Sequence, residues 1–280
     1  MAPRKALVNG RPGRRVDIAD RGLLYGDGLF ETIAVRAQAP CLWSAHLARL
    51  KRGAERLGIP CPDPELLRAE ADALLIGVDA GVLRITLTRG RGGRGYLPPP
   101  RPEPTRILAL YSTTPDSGRW REQGANLTLC RAVLGTNPLL AGIKHLNRLE
   151  QILARAEWDD PEIIDGVMTD SQGQVICGTM SNLFLCGDNG IETPAVDRCG
   201  VAGTVRALVL RQAAVLGIPA SEADVPLTAL ARARGLFLTN ALLGPVPVAR
   251  VGPHRYDPRA VPAELLERVR GAAFQPENSI

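Results

Sequence analysis

The sequence predicts a mixed α+β fold in two domains, on three observations. Short apolar runs alternate with polar residues between Gly, Pro and Asn turns, the period of half-buried antiparallel strands. Other segments repeat apolar residues at i, i+3 and i+4, the period of helices that cover a sheet. The polar, turn-rich stretch "TTPDSGRWREQG" interrupts both patterns at residues 113–124. It divides the chain into residues 1–114 and 124–280 about a linker at 115–123, and 280 residues give each part enough length for a core.

The elements follow in order. "KALVNGRPGRRVDIADRG" reads as a hairpin about an Asn-Gly turn, and "LFETIAVRAQAPCLW" as a second strand pair about a polar turn. "SAHLARLKRGAERL", residues 44–57, is a helix with Ser44 as its N-cap and Gly58 as its stop, and "PELLRAEADALLIG" is another. "GVLRITLTRG" alternates as a strand and pairs with "TRILALYST", so the proline-rich residues 89–104 form a long loop inside one domain. "GIKHLNRLEQILARAE", residues 142–157, sets Lys144 ahead of an amphipathic helix with Leu146, Leu149, Ile152, Leu153 and Ala156 at helical spacing. The remaining strands lie in "ANLTLCRAVL", "DGVMTDSQGQVICG", "SNLFLC" and "GLFLTNALL", with a hairpin at "NGIETPAVD". Helices are expected from about residue 204, at 226–234 and at 262–271, and no internal repeat is found.

Composition narrows the function. With 45% hydrophobic and 22% charged residues the chain is an ordinary globular protein. Its net charge of +5 comes from dispersed arginine, which favours an anionic small molecule over nucleic acid, although coding bias also produces such arginine. Six cysteines without a C-x-x-C pair and three distant histidines argue against a metal site and for reduced thiols in a cytoplasmic protein. Without a leader or an eighteen-residue apolar run, no membrane segment is expected. Gly90, Gly92 and Gly95 satisfy G-x-G-x-x-G, but Tyr96-Leu97-Pro98-Pro99-Pro100 cannot open the helix that a dinucleotide needs. Arg89, Arg91 and Arg94 in that loop read either as solvated charges or as a lid that offers guanidinium groups to a carboxylate.

Four stretches considered together point further: "DRGLLYGDGLFETI", "SAHLARL", "GIKHLNRLEQILARAE" and "GTMSNLFL" followed by "GVAGTVR" and "TNALLGPVPV". Together they resemble the fold-type IV pyridoxal-phosphate enzymes, the group of branched-chain and D-amino-acid aminotransferases and 4-amino-4-deoxychorismate lyases. The resemblance spans nearly the whole chain. "KHLNRLEQ" and "GGRGY" are most similar to the lyases, which split aminodeoxychorismate into 4-aminobenzoate and pyruvate for folate biosynthesis; an aminotransferase of this fold is the alternative. It implies a smaller N-terminal α/β domain, a larger C-terminal domain with a barrel-like sheet, and a homodimer acting on a small molecule.

The resemblance also implies roles for residues. Lys144 matches the Schiff-base lysine, and Lys144 or Thr32 would protonate the departing group. Arg49 matches the phosphate-binding arginine, whose paired donors suit a dianion. Thr204 and Val205 would turn the amides of a helix N-terminus toward the same phosphate, with Asn240 and Ala241 adding a backbone contact. Ser181 and Asn182 fall in the cofactor motif. Tyr25 and Phe30 fall in the substrate pocket, core packing being the rival role for Phe30, and Arg94 and Tyr96 are substrate-side loop residues.

One position breaks the pattern. The family places a glutamate, partner of the cofactor's pyridine nitrogen, where this chain has Cys177. A neutral thiol is a poor proton partner and a buried thiolate is costly. Three explanations stand: another carboxylate such as Glu192 fills the place, the chain keeps only a cofactor-binding shell, or its reaction tolerates a weaker electron sink.

Overall fold

The computed structural model describes residues 2–112 and 118–277. Residues 115–117 of the expected linker therefore lie outside the described residues, while Gly118–Gln123 forms a short helix. Two compact units emerge: Met1–Thr114 with Ile143–Asn147 and Phe274–Ile280, and Pro115–Gly142 with Arg148–Ala273.

The first unit holds β1 (Lys5–Val8), β2 (Arg11–Pro12), α1 (Arg21–Tyr25), β3 (Gly28–Arg36), β4 (Ala39–Pro40), α2 (Trp43–Leu57), α3 (Pro64–Leu75), β5 (Ala80–Thr88) and β6 (Thr105–Tyr111). Its antiparallel sheet runs β2-β1-β6-β5-β3-β4. The expected Asn-Gly turn is present, with Asn9 and Gly10 at φ 50° and 80°. The ladder between β5 and β6 ends at Thr88↔Thr105, so residues 89–104 do join paired strands. Strand alternation sorts β3 into two faces. Leu29, Glu31, Ile33 and Val35 share one, Gly53 of α2 lying close against Leu29, while Phe30, Thr32 and Ala34 take the other.

Helix α2 ends at Gly58 as expected, with φ 64°. Its start differs. Leu42, not Ser44, occupies the N-cap position, and the carboxylate of Glu277 accepts from the Ser44 amide (3.0 Å) and hydroxyl (2.7 Å). A remote side chain has taken the capping role.

The second unit holds α4 (Gly118–Gln123), β7 (Ala125–Leu129), α5 (Leu149–Arg155), β8 (Ile163–Thr169), β9 (Gln174–Gly178), β10 (Asn182–Gly187), β11 (Gly190–Pro194), α6 (Thr204–Val215), β12 (Ala220–Ala223), β13 (Val225–Pro226), α7 (Leu227–Arg232), β14 (Gly235–Asn240), β15 (Gly244–Val251), β16 (His254–Arg255) and α8 (Ala263–Ala273). One sheet carries all the strands in the order β12-β11-β10-β14-β15-β7-β8-β9-β13, with β16 on β15. Leu127, Val167, Leu183, Leu238, Val246 and Val248 form its core, and Phe184 stacks on Phe237 at 4.7 Å.

The helix expected directly after Lys144 begins only at Leu149. Its apolar stripe does not face this chain's core. Leu149, Ile152 and Leu153 are 73, 60 and 64% exposed, while Ala154 packs beside Cys130, Leu134 and Met168.

The close of the 89–104 loop is sterically defined. A Cβ on Gly90, at φ 83°, would stand 1.8 Å from the Glu103 carbonyl oxygen. Gly90→Ala should cost about 2 kcal/mol or more in thermal unfolding; an unchanged Tm contradicts this packing.

Candidate active site

Lys144 lies in the first unit. Residues 144–146 are extended along β3: the Phe30 amide donates to the Lys144 carbonyl (3.0 Å), the Leu146 amide donates to the Gly28 carbonyl (2.9 Å), and Leu29 bridges His145. The backbone is thus fixed to a strand rather than to a helix end. The half-buried Lys144 Nζ stands 4.4 Å from the centroid of the Phe30 ring, a cation–π contact. Thr32 is two residues along the same pleated face. Phe30 is thus more than core filler.

The opposite face of β3 carries a buried ionic group. Arg49 donates from Nε and Nη2 to the two oxygens of Glu31 (2.8 and 2.5 Å), and His46 Nδ1 makes a third contact to Glu31 at 2.6 Å. Burial alone would raise the Glu31 carboxyl, but the Arg49 charge and the hydrogen bonds overcome it and hold it at about 2. Burial lowers His46 against the pull of Glu31, so the neutral ring donates from Nδ1. Arg49 is therefore a rigidly aimed guanidinium. The sequence reading missed Glu31 and His46; the signals were a carboxylate on the helix side of a strand and the His-x-x-Arg spacing on α2.

Of the three loop arginines, Arg89 departs from both expected roles, being neither solvated nor presented to a ligand. Arg89 donates to Asp27 (2.7 Å) and to the Leu57 and Gly58 carbonyls (2.7 and 2.9 Å), ending α2 rather than meeting a ligand. Arg91 pairs with Asp17, and Arg94 is exposed. Buried Arg21 anchors the loop by donating to the Gly95 and Tyr96 carbonyls (3.0 and 2.9 Å). Tyr96 meets Tyr25 edge-on at 5.4 Å yet remains 83% exposed.

In the second unit, Gly203 is the N-cap of α6, which has no side-chain cap. A Cβ there would stand 2.1 Å from Asn182 Oδ1, so only glycine fits while Asn182 Nδ2 donates to the Val201 carbonyl (2.9 Å). Across the ladder from Asn182 is Thr239, 1% exposed, whose hydroxyl has no hydrogen-bond partner among the described residues. The first-turn amides of Thr204 and Val205, the glycine and this orphan hydroxyl fit an anion such as a phosphate. The Asn240 Oδ1 accepts from the Leu242 and Leu243 amides (2.9 and 2.8 Å), fixing the turn that contains Ala241 and leaving the backbone contact expected of both residues to the turn itself. Thr239, one residue earlier, was overlooked because a strand threonine gives no local signal.

Cys177 is buried, and burial pushes its thiol up to about 12, leaving it neutral. The charged groups flanking it are Asp165 and Arg148, whereas Glu192 sits on β11 opposite Leu185. Asp165 accepts from the Thr179 amide (2.9 Å), the Thr179 hydroxyl (2.5 Å), the Gly166 amide (2.9 Å) and the Ser181 hydroxyl (2.6 Å). It organises the turn before Asn182, and the Ser181 hydroxyl proton is committed to it. Among the described residues no group of three or more His, Cys, Asp or Glu is placed to hold a metal, and no helix is long and apolar enough to cross a membrane.

These two sets of residues fall within a match to the amino-transferase class IV family over residues 28–251, and the chain belongs to that family. It is 38% identical to the aminodeoxychorismate lyase of Vibrio harveyi over 87% of this chain and 90% of that protein. The crystal structure of 4-amino-4-deoxychorismate lyase from Pseudomonas aeruginosa is similar with a TM-score of 0.88 and 44% identity, covering 95% of this chain and 97% of that one. A putative branched-chain-amino-acid aminotransferase of Methanocaldococcus jannaschii is 29% identical over 88% of each chain.

Glu31 gives the site a pH signature. Its depressed carboxyl contributes stability above the ordinary value of 4.5 that is lost as pH falls toward about 2. Glu31→Gln should be less stable at neutral pH by about 3 kcal/mol and show a flatter stability profile across that acid window. Parallel wild-type and variant profiles contradict the ion pair.

Proposed function

We propose that this chain is a pyridoxal 5′-phosphate-dependent lyase that splits 4-amino-4-deoxychorismate into 4-aminobenzoate and pyruvate, a step toward folate. The observation that carries the reading is 38 and 44% identity to lyases over nearly the full length, against 29% to an aminotransferase.

The residues present fit the cofactor. Lys144 would supply the anchoring amine; Arg49 in the first unit and, within the second, Thr204, Val205 and the Thr239 hydroxyl each have the chemistry to meet a phosphate. When bound, pyridoxal phosphate supplies an aldehyde for the substrate amine and a ring that accepts the electron pair of the amine-bearing carbon. Phe30 positions Lys144 Nζ, which as the neutral amine would accept the proton from that carbon and so become an ammonium. Lys144 Nζ or the Thr32 hydroxyl then protonates the departing enolpyruvyl group. Glu31 and His46 keep Arg49 from swinging.

The neutral Cys177 thiol leaves the ring nitrogen without a carboxylate partner from this position, and Asp165 is taken up by the Gly166 amide beside it on β8 and by three donors of Thr179 and Ser181. A lyase bears this better than an aminotransferase, because loss of the side chain makes the substrate ring aromatic and drives the reaction forward. Two exposed apolar patches, Ile18, Leu23, Leu24, Tyr96 and Leu97 on the first unit and Leu149, Ile152 and Leu153 on the second, support a homodimer. A cytoplasmic location suits the unpaired thiols, of which Cys61 is exposed.

Purified enzyme with the cofactor should release 4-aminobenzoate from aminodeoxychorismate without an added amine donor. A keto acid formed only from an added amino acid would establish an aminotransferase, and cofactor absorbance without either turnover a binding shell. Cys177→Glu should change lyase kcat by less than about tenfold; a gain of several orders of magnitude contradicts tolerance of the thiol.

A further inference from the structure

Most arginines of the first unit are spoken for. Arg21 and Arg89 meet Asp27, Arg49 meets Glu31, Arg68 meets Asp72, and Arg106 meets Glu70. Arg84 is different. It is half-buried on β5, and it makes no hydrogen bond or ion pair to a described residue. Its guanidinium carbon lies 4.1 Å from the centroid of the Phe30 ring. Burial lowers its pKa, and the ionisable group that acts on it is the phenol of Tyr111 rather than a carboxylate. Stacking on Phe30 accounts for the pose of the side chain, but leaves its charge without a counter-ion.

The register places that charge. Arg84 is paired with Thr32, so both side chains emerge on the face of the sheet that carries Phe30. Lys144 Nζ shares the same ring at 4.4 Å, and Arg84 Cζ at 4.1 Å, so the two cations stand no more than about 8.5 Å apart. Resting on the lyase reading, we infer that Arg84 binds the enolpyruvyl carboxylate of the substrate, the one that departs in pyruvate. The substrate carries two carboxylates. The enolpyruvyl ether branches from the ring carbon next to the amine-bearing one, whereas the ring carboxylate is attached across the ring. A substrate whose amine is held at Lys144 brings the nearer, enolpyruvyl carboxylate to a guanidinium on the same ring, and paired N–H donors suit it. Of the loop arginines read as candidates for a carboxylate, Arg89 and Arg91 have protein partners, and Arg84 adds a guanidinium on the sheet face itself.

The test uses wild-type, Arg84→Gln and Arg84→Lys enzymes loaded with pyridoxal phosphate, with cofactor absorbance and Tm confirming the fold. Two unreactive probes separate the carboxylates: chorismate, which has a hydroxyl in place of the amine and keeps both, and 4-aminobenzoate, which keeps only the ring carboxylate. Arg84→Gln should raise KM for aminodeoxychorismate by about 10- to 100-fold with a smaller change in kcat. Its inhibition by chorismate should weaken by a similar factor while inhibition by 4-aminobenzoate stays within about twofold. Arg84→Lys should recover part of the loss, and it carries the test if the Gln variant does not hold the cofactor. An unchanged KM, or equal weakening of both probes, overturns the assignment. A wild-type enzyme that releases no 4-aminobenzoate overturns the lyase reading itself, and the Arg84 role with it. Turnover by wild type matched by the Gln variant overturns only the latter.

Discussion

Two backbone hydrogen bonds between residues 144–146 and the first residues of β3 govern the chemistry of the first unit. They convert a flexible lysine into one whose Cα is set by a sheet register, so its ammonium rests on Phe30 with Thr32 on the same face. A strand is a stiffer mount than a helix end or loop, and the register alternates, so a slip by one residue would carry Phe30 and Thr32 to the wrong side. The same alternation sends Glu31 to the helix side, where it fixes Arg49. A single strand thus positions two sets of charged groups.

The electrostatics of that unit follow a division of labour. Cations that shape the backbone are neutralised by carboxylates or carbonyls: Arg21 and Arg89 around Asp27 and the end of α2, Arg49 on Glu31. On the Phe30 face the guanidinium of Arg84 is held by a ring instead, which orients charge without cancelling it. In the second unit a helix start without a side-chain cap and a buried hydroxyl with no partner among the described residues suit an anion, and a carboxylate holds the adjoining turn through three donors.

Much of this was legible in the sequence because it is local. Alternation gave the strands of "GVLRITLTRG" and "TRILALYST", Asn-Gly gave the first hairpin, and Gly58 gave the end of α2. What was not legible is decided by residues far apart in the chain. Ser44 has the composition of a cap, but Glu277 from the C-terminal segment takes the helix start. Residues 144–147 have a helical pattern, but pairing with β3 draws them into an extended conformation and delays α5. Arg89 reads as a free loop charge until folding brings Asp27 to it. The partners Glu31 and His46 and the orphan Thr239 become meaningful only through burial, and the outward stripe of α5 is indistinguishable by spacing from a core face.

Cys177 separates recognition from chemistry. The lysine proposed as the anchor and the elements proposed to meet the phosphate are in place, while a neutral thiol stands where the resemblance places a carboxylate. The account therefore depends on Lys144 rather than on the ring-nitrogen partner. The most direct measurement is borohydride reduction of the yellow, cofactor-loaded protein followed by peptide mapping. The account predicts a single phosphopyridoxyl label on Lys144 and none in a Lys144→Ala variant; a label on another lysine, or a colourless protein after incubation with pyridoxal phosphate, would contradict it.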